Sequence, residues 1–210
     1  MDIAFSLIIL IISVILHEVA HGYMANWLGD PTARLAGRLT LNPVSHVDPV
    51  GSILLPLILT VTSSPILIGY AKPVPYNPYN LRGKYGEALV AGAGPATNIL
   101  IALIFGLLIR FGSTAMSVEL VSAFSTIVFI NLLLALFNLI PLPPLDGSKV
   151  LSSVLPRPLA QSYEHFRANF ERMGMLSMTF LLLIIFYIVL FPYFYALLRW
   201  LFALLTGVDL

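Results

Sequence analysis

Two histidines and a glutamate interrupt an apolar stretch near the start of the sequence. Leu16-His17-Glu18-Val19-Ala20-His21-Gly22 closes the run Ile3 to Leu16. On a helix, His17 and His21 are four apart and project from one face, about a turn from each other. Two imidazoles at that spacing can grip one Zn²⁺. Glu18 follows the first histidine, where it can take a proton from water at the metal. The chemistry on offer is metal-assisted hydrolysis. In a solvent-exposed helix, the same pattern can be chance surface residues satisfied by water. In a lipid-buried helix that alternative weakens. A charged side chain near the bilayer centre costs roughly 2.5–3.5 kcal/mol, and unpaired polar groups are not cheaply solvated there.

A hydrolytic zinc site usually takes three protein ligands and keeps one position open. The chain has no cysteine, so the third ligand must be a histidine or a carboxylate. The candidate is Asp146, in Asn138-Leu139-Ile140-Pro141-Leu142-Pro143-Pro144-Leu145-Asp146-Gly147. This carboxylate directly follows an apolar span. The prolines before it unwind the backbone, and an unwound segment at that depth can bring a ligand to a cavity. The alternative is a plain Asp-Gly turn at a helix end.

These residues need membrane helices to position them. The chain has 210 residues, 59% hydrophobic and 10% charged, with mean hydropathy +0.94. Soluble domains carry about 25% charged residues, so this composition is that of an integral membrane protein in contact with the lipid bilayer. The net charge of +1 and the absence of any basic cluster argue against nucleic acid as a partner. The first residues lack the basic region of a signal peptide, so the first helix is expected to be retained. It runs from about Ile3 to Leu28, long enough to span, and Gly29-Asp30-Pro31 ends it. Alternation over Ala33–Leu41 hints at a small β-hairpin. The stretch 51–70 is apolar but broken by Pro56 and Pro65, so it either spans or dips in and returns. Lys72 to Glu87 reads as a proline-rich loop. Spans follow at Ala88 to Ile109 and from about Val118 to Ile140. Gly147 to Arg172 suggests one or two amphipathic helices at the interface. Met173 to Leu205 is too long for one straight span, and Phe191-Pro192-Tyr193 is expected to kink or divide it. Tyr23, Trp27 and Trp200 read as interfacial anchors.

Nine of the eleven Lys and Arg residues fall in the loops 30–50, 70–87 and 147–172. The positive-inside rule puts those loops in the cytoplasm, which makes 51–70 re-entrant. No inverted repeat of the transporter kind is visible. The expected fold is an all-α polytopic membrane protein and a single domain over 1–210. It has a three-helix catalytic core (about 3–147), a re-entrant or short spanning segment, one or two C-terminal helices (about 173–207), and the small hairpin.

The sequence resembles the site-2 protease family of intramembrane zinc metalloproteases. The resemblance lies in His17-Glu18-Val19-Ala20-His21, in Asn138 to Gly147, and in Gly94-Pro95-x-x-Asn98 between them, covering about two-thirds of the chain. Asn42-Pro43-x-x-His46-x-Asp48-Pro49-x-Gly51 and Gly69-x-Ala71-Lys72-Pro73-Val74-Pro75 look like stretches of its compact prokaryotic members. The resemblance implies one Zn²⁺ per chain held by His17, His21 and Asp146, with Glu18 as general base. Asn138 would contact the substrate backbone or a developing oxyanion, or else cap a helix end. Asn98 would be a second polar contact to substrate, or glue between helices. His46 would sit behind the ligands, or simply pair in its loop with Asp48.

The implied partners are single-pass membrane-protein substrates, unwound locally for cleavage. An exposed strand edge at Ala33–Leu41 or Ile68–Val74 could capture them, and the segment 173–205 would act as gate. The implied location is a prokaryotic cell membrane, with the active site nearer the cytoplasmic side. The rival reading is a non-catalytic metal-binding membrane protein or a metal transporter, in which Glu18 has no special task.

Overall fold

The structure is a computed structural model that describes residues 3–48 and 72–209. Its helices, in chain order, are α1 (Ile3–Trp27), the single turn α2 (Thr32–Leu35), α3 (Gly86–Gly112), α4 (Val118–Asn138), α5 (Asp146–Val154), α6 (Arg157–Arg172), α7 (Met175–Ile185) and α8 (Phe191–Thr206). Short 3₁₀ turns at Pro43–His46 and Pro78–Asn80 punctuate the link between α1 and α3. No strand occurs among the described residues. Among the described residues, four helical stretches are long and apolar enough to cross a membrane: Ile3–Trp27, Gly86–Ala115, Val118–Asn138 and Ser177–Thr206.

α3 is the central post. It packs against α1, α4, α5 and α8. Ser13 of α1 lies beside Asn98 of α3 and His21 lies beside Val90, so the two helices run antiparallel. The short link after α3 makes α4 antiparallel to it as well. The C-terminal ends of α1 and α4 and the N-terminal end of α3 therefore share one end of the bundle. Asn42, Asp30 and Asn77 lie in the loops at that end. At the other end an apolar cluster closes the bundle: Ala102 and Ile109 of α3, Val128 and Leu132 of α4, and Phe194, Leu198 and Phe202 of α8. Gly106 allows close approach there, since a Cβ would stand 2.8 Å from Leu205 Cβ.

The long connection from α1 to α3 leaves and returns at the same end. Lys72 N–H donates to His46 O at 2.9 Å, so the described residues on either side of 49–71 meet. The expectation that 51–70 spans or is re-entrant lies outside the described residues.

Three sequence expectations are resolved here. Ala33–Leu41 does not form a hairpin. Asp30 accepts from Thr32 N and Thr32 Oγ1 and starts a helical turn instead, with Leu35 N–H bonded to Pro31 O and Ala36 N–H to Thr32 O. Gly37, at φ +66°, ends the turn. The charged stretch after Asp146 forms two helices, α5 and α6, as its amphipathic pattern predicts. The C-terminal segment is one continuous helical span and is not divided in two. Pro192 has no N–H to give the carbonyl four residues back. The helix widens just before it into a π turn over Phe186–Leu190, and Phe191 N–H reaches Phe186 O.

Candidate metal centre

His17 and His21 lie in the second half of α1 and both face α3. Their rings meet edge to face with centroids 4.6 Å apart. Asp146 arrives from the opposite part of the sequence. After α4 the chain turns through Leu139–Leu145, and Asp146 opens α5. The Asp-Gly pair is thus a helix start, not a turn at a helix end. Gly147 is needed for that geometry, because a Cβ there would collide with the carbonyl groups of Leu139 and Ile140 at the end of α4. Asp146 Oδ2 is placed 3.1 Å from His17 Nε2 and 3.2 Å from His21 Nε2. The ligand atoms of the three residues all lie within 4.8 Å of one another.

The hydrogen bonds behind the rings show what this cluster can hold. His17 Nδ1 is 2.6 Å from Asn98 Oδ1, and His21 Nδ1 is 2.6 Å from Val90 O. Both partners accept, so both Nδ1 atoms carry the hydrogen and both Nε2 atoms are left with lone pairs. Two such nitrogens and a carboxylate oxygen converge on one point, an arrangement stable only around positive charge. Two neutral imidazoles and a carboxylate form a donor set that suits Zn²⁺. Gly94 keeps the space open. A Cβ at that position would overlap His21 Nε2 and stand 2.6 Å from His17 Nε2. Pro95 follows, inside α3. The residues present fit the metal.

Glu18 is half-buried and lies about 100° around α1 from His17. Its Oε2 accepts a hydrogen bond from Val74 N–H at 2.9 Å. Val74 belongs to a strap without secondary structure, Lys72 to Asn77, which is tied down along its length. Arg38 Nη2 donates to Lys72 O at 2.8 Å. The Lys149 ammonium of α5 stands 5.1 Å from the Tyr76 ring centroid. Asn77 N–H donates to Asp30 Oδ2 at 2.6 Å, and Asn80 Nδ2 donates to Asp30 Oδ1 at 2.9 Å. Gly22, one turn after Glu18, gives the strap room, since a Cβ would stand 2.8 Å from Val74 Cγ1. Burial alone would push the Asp30 carboxyl up. The hydrogen bonds from Thr32, Asn80 and Asn77 outweigh it and hold the group below the ordinary carboxylate range.

The remaining sequence candidates are placed as follows. Asn98 is fully buried, and its amide is taken up by His17, Ser13 O and Asn131. It joins three helices and holds the His17 ring, with none of its surface exposed. Asn138 donates to Leu134 O within its own helix. His46 is buried with Nε2 2.8 Å from Thr40 O, so its partner lies in its own loop and not among the ligands. Sequence reasoning did not single out Asn131, Ser13 or the Val74 amide. The first carried a signal: a neutral amide in the middle of an apolar span is out of place unless it is paired.

Comparisons with known proteins agree with this geometry. The sequence model described as Peptidase family M50 matches residues 108–185. The chain is 42% identical over 159 residues to the protein named "Putative zinc metalloprotease YwhC" of Bacillus subtilis, covering 71% of this chain and 68% of that one. It is 31% identical over 138 residues to Rip2 of Mycolicibacterium smegmatis, which carries the same description, covering 65% of this chain and 52% of the relative. "Zinc metalloprotease MJ0392" of Methanocaldococcus jannaschii is 25% identical over 150 residues, 71% of this chain and 34% of its own. No solved structure matches the chain.

Proposed function

This chain belongs to peptidase family M50 and is an intramembrane zinc metalloprotease; from that premise we propose that it cuts membrane-protein substrates within or near their spanning helices. The observation that carries the reading is the convergence of His17 Nε2, His21 Nε2 and Asp146 Oδ2 from α1 and α5, with Glu18 beside them on α1. His17, His21 and Asp146 would hold the metal. When bound, Zn²⁺ supplies a Lewis acid for the scissile carbonyl and a more acidic attacking water.

The chain's own residues do the rest. Val74 N–H holds Glu18 Oε2, which leaves Oε1 to take the proton from the attacking water. Glu18 then returns that proton to the leaving amide nitrogen. Asn98 and Val90 O hold the two imidazoles in the ligating tautomer. A substrate helix must unwind before its backbone reaches Glu18, because each helical peptide bond is shielded by its own turn and hydrogen bond. Single-pass membrane proteins, whose one spanning helix can be unwound locally, are the substrates proposed. The half of the bundle that holds the site is read as cytoplasmic, in a prokaryotic cell membrane. In support, Arg38, Lys72 and Arg82 lie in loops at that end and Lys149 on α5 beside them, and the relatives named above are prokaryotic.

The test is cleavage of a panel of transmembrane peptides by purified protein in detergent, wild type beside Glu18→Gln, with zinc measured in both. Wild type should cleave within the apolar span. The variant should keep about one zinc per chain and lose cleavage by at least about 10²-fold. A folded wild type that takes up no zinc would overturn the reading. So would a Glu18→Gln variant that cleaves normally.

A further inference from the structure

We infer that Asn131, in the middle of α4, decides which nitrogen of His17 is free to bind metal. It is a positioning residue that acts through Asn98, and the inference rests on the zinc-site reading above.

The oxygen and nitrogen of an amide are told apart by their partners. Two backbone carbonyls, which can only accept, make the assignment here. Asn131 Nδ2 lies 2.9 Å from Ile127 O, so the NH₂ end of Asn131 faces its own helix and its oxygen faces away. That oxygen is 2.8 Å from the Asn98 amide and requires a donor, so Asn98 presents its NH₂ group. The same Asn98 NH₂ group is 3.4 Å from Ser13 O, the second carbonyl. Asn98 Oδ1 is then the atom left facing His17 Nδ1 at 2.6 Å. His17 must carry its hydrogen on Nδ1, and its Nε2 lone pair points at Asp146. The second N–H of Asn131 is met by Ser13 Oγ at 3.0 Å, which ties the relay back to α1. All four residues are buried, Asn98 and Asn131 at 0% exposure, so no water is at hand to replace a missing link.

The two histidines are therefore fixed in different ways. His21 is set by Val90 O, a backbone carbonyl that cannot turn over. His17 is set by a side-chain amide, which can. Without Asn131, the NH₂ group of Asn98 keeps only the long contact to Ser13 O. It can then flip its NH₂ group toward His17, which moves the histidine hydrogen to Nε2 and removes a ligand.

The experiment measures two things: zinc affinity by chelator competition, and the tautomer of His17 in zinc-free protein by ¹⁵N NMR of the imidazoles. Wild type should show hydrogen on Nδ1. Asn131→Leu should lose about 10–100-fold in zinc affinity, the usual cost of removing a group that orients a ligand, and His17 should shift toward the other tautomer. Asn131→Asp, with its C=O toward Asn98 and its OH toward Ile127 O, should restore both. An Asn131→Leu protein with wild-type affinity and tautomer overturns the inference. If that variant does not fold, the wild-type spectrum decides, because a His17 with a bare Nδ1 and its hydrogen on Nε2 alone overturns it equally. Wild type that binds no zinc would overturn the zinc reading, and the tautomer would still judge the relay.

Discussion

The two ends of the bundle share α3 and α4 and are held by different forces. Toward the metal centre, α1, α3 and α4 meet through Ser13, His17, Asn98 and Asn131, joined by directional hydrogen bonds of 2.6–3.4 Å. Away from it, α3, α4 and α8 meet through Ala102, Ile109, Val128, Leu198 and Phe202, packed together in one apolar cluster. Apolar packing brings helices close, but it does not fix which atom faces which. Buried amides do, because an unmatched donor or acceptor away from water costs about 1–3 kcal/mol. One end of the bundle fixes proximity and the other fixes atoms.

Matched glycine substitutions make the sharpest attempt to break that contrast. Gly94→Ala puts a methyl group against both ligating nitrogens. It should abolish zinc uptake and cleavage while the thermal midpoint changes little. Gly106→Ala pushes on Leu205 and should lower the midpoint while zinc stays near one per chain. Metal analysis beside thermal unfolding separates them, and a shared phenotype would dissolve the distinction. Next in size, Leu198→Ala opens a cavity in the apolar end. It should cost about 2–5 kcal/mol of stability and leave the zinc content intact, as unfolding with and without chelator would show. The smallest effect concerns Asp30, at the end of α1. Its pKa is held below the ordinary value of about 4. Its stabilising contribution is therefore complete above that pH and fades as pH falls through the lower folded value. Asp30→Asn should cost about 1–3 kcal/mol at neutral pH and should weaken the acid limb of the stability profile. An unchanged acid limb would remove Asp30 from the clamp on the strap.

Much of the site was legible in the sequence because its chemistry forces a spacing. His17, Glu18 and His21 must share a helix, and Asp146 had to be a carboxylate next to broken helix. Asn131 and Ser13 carry no such spacing. Their meaning depends on three helices meeting at one depth, which no single stretch records. The Val74 amide was invisible for a simpler reason: every residue but proline has one. In Ala33–Leu41, alternation mimicked a strand. The deciding information lay just upstream, in Asp30-Pro31-Thr32, where the Asp30 carboxylate accepts from Thr32 N–H and Oγ1 at the start of a helical turn. The proline at 192 was correctly read as a disturbance of the last span. That the helix would absorb it in a π turn follows from the bonding of its neighbours.

The distance along the chain between the two halves of the metal centre has a consequence for biosynthesis. His17 and Asp146 are 129 positions apart, and the relay that orients His17 needs Asn131 as well. A ribosome making this protein delivers both imidazoles and the Glu18 carboxylate early. It completes the ligand set only after α4 and the turn beyond it have emerged. Until then the nascent chain lies among other newly inserted helices with its hydrolytic centre still unassembled. The order of synthesis itself delays activity until the core is in place.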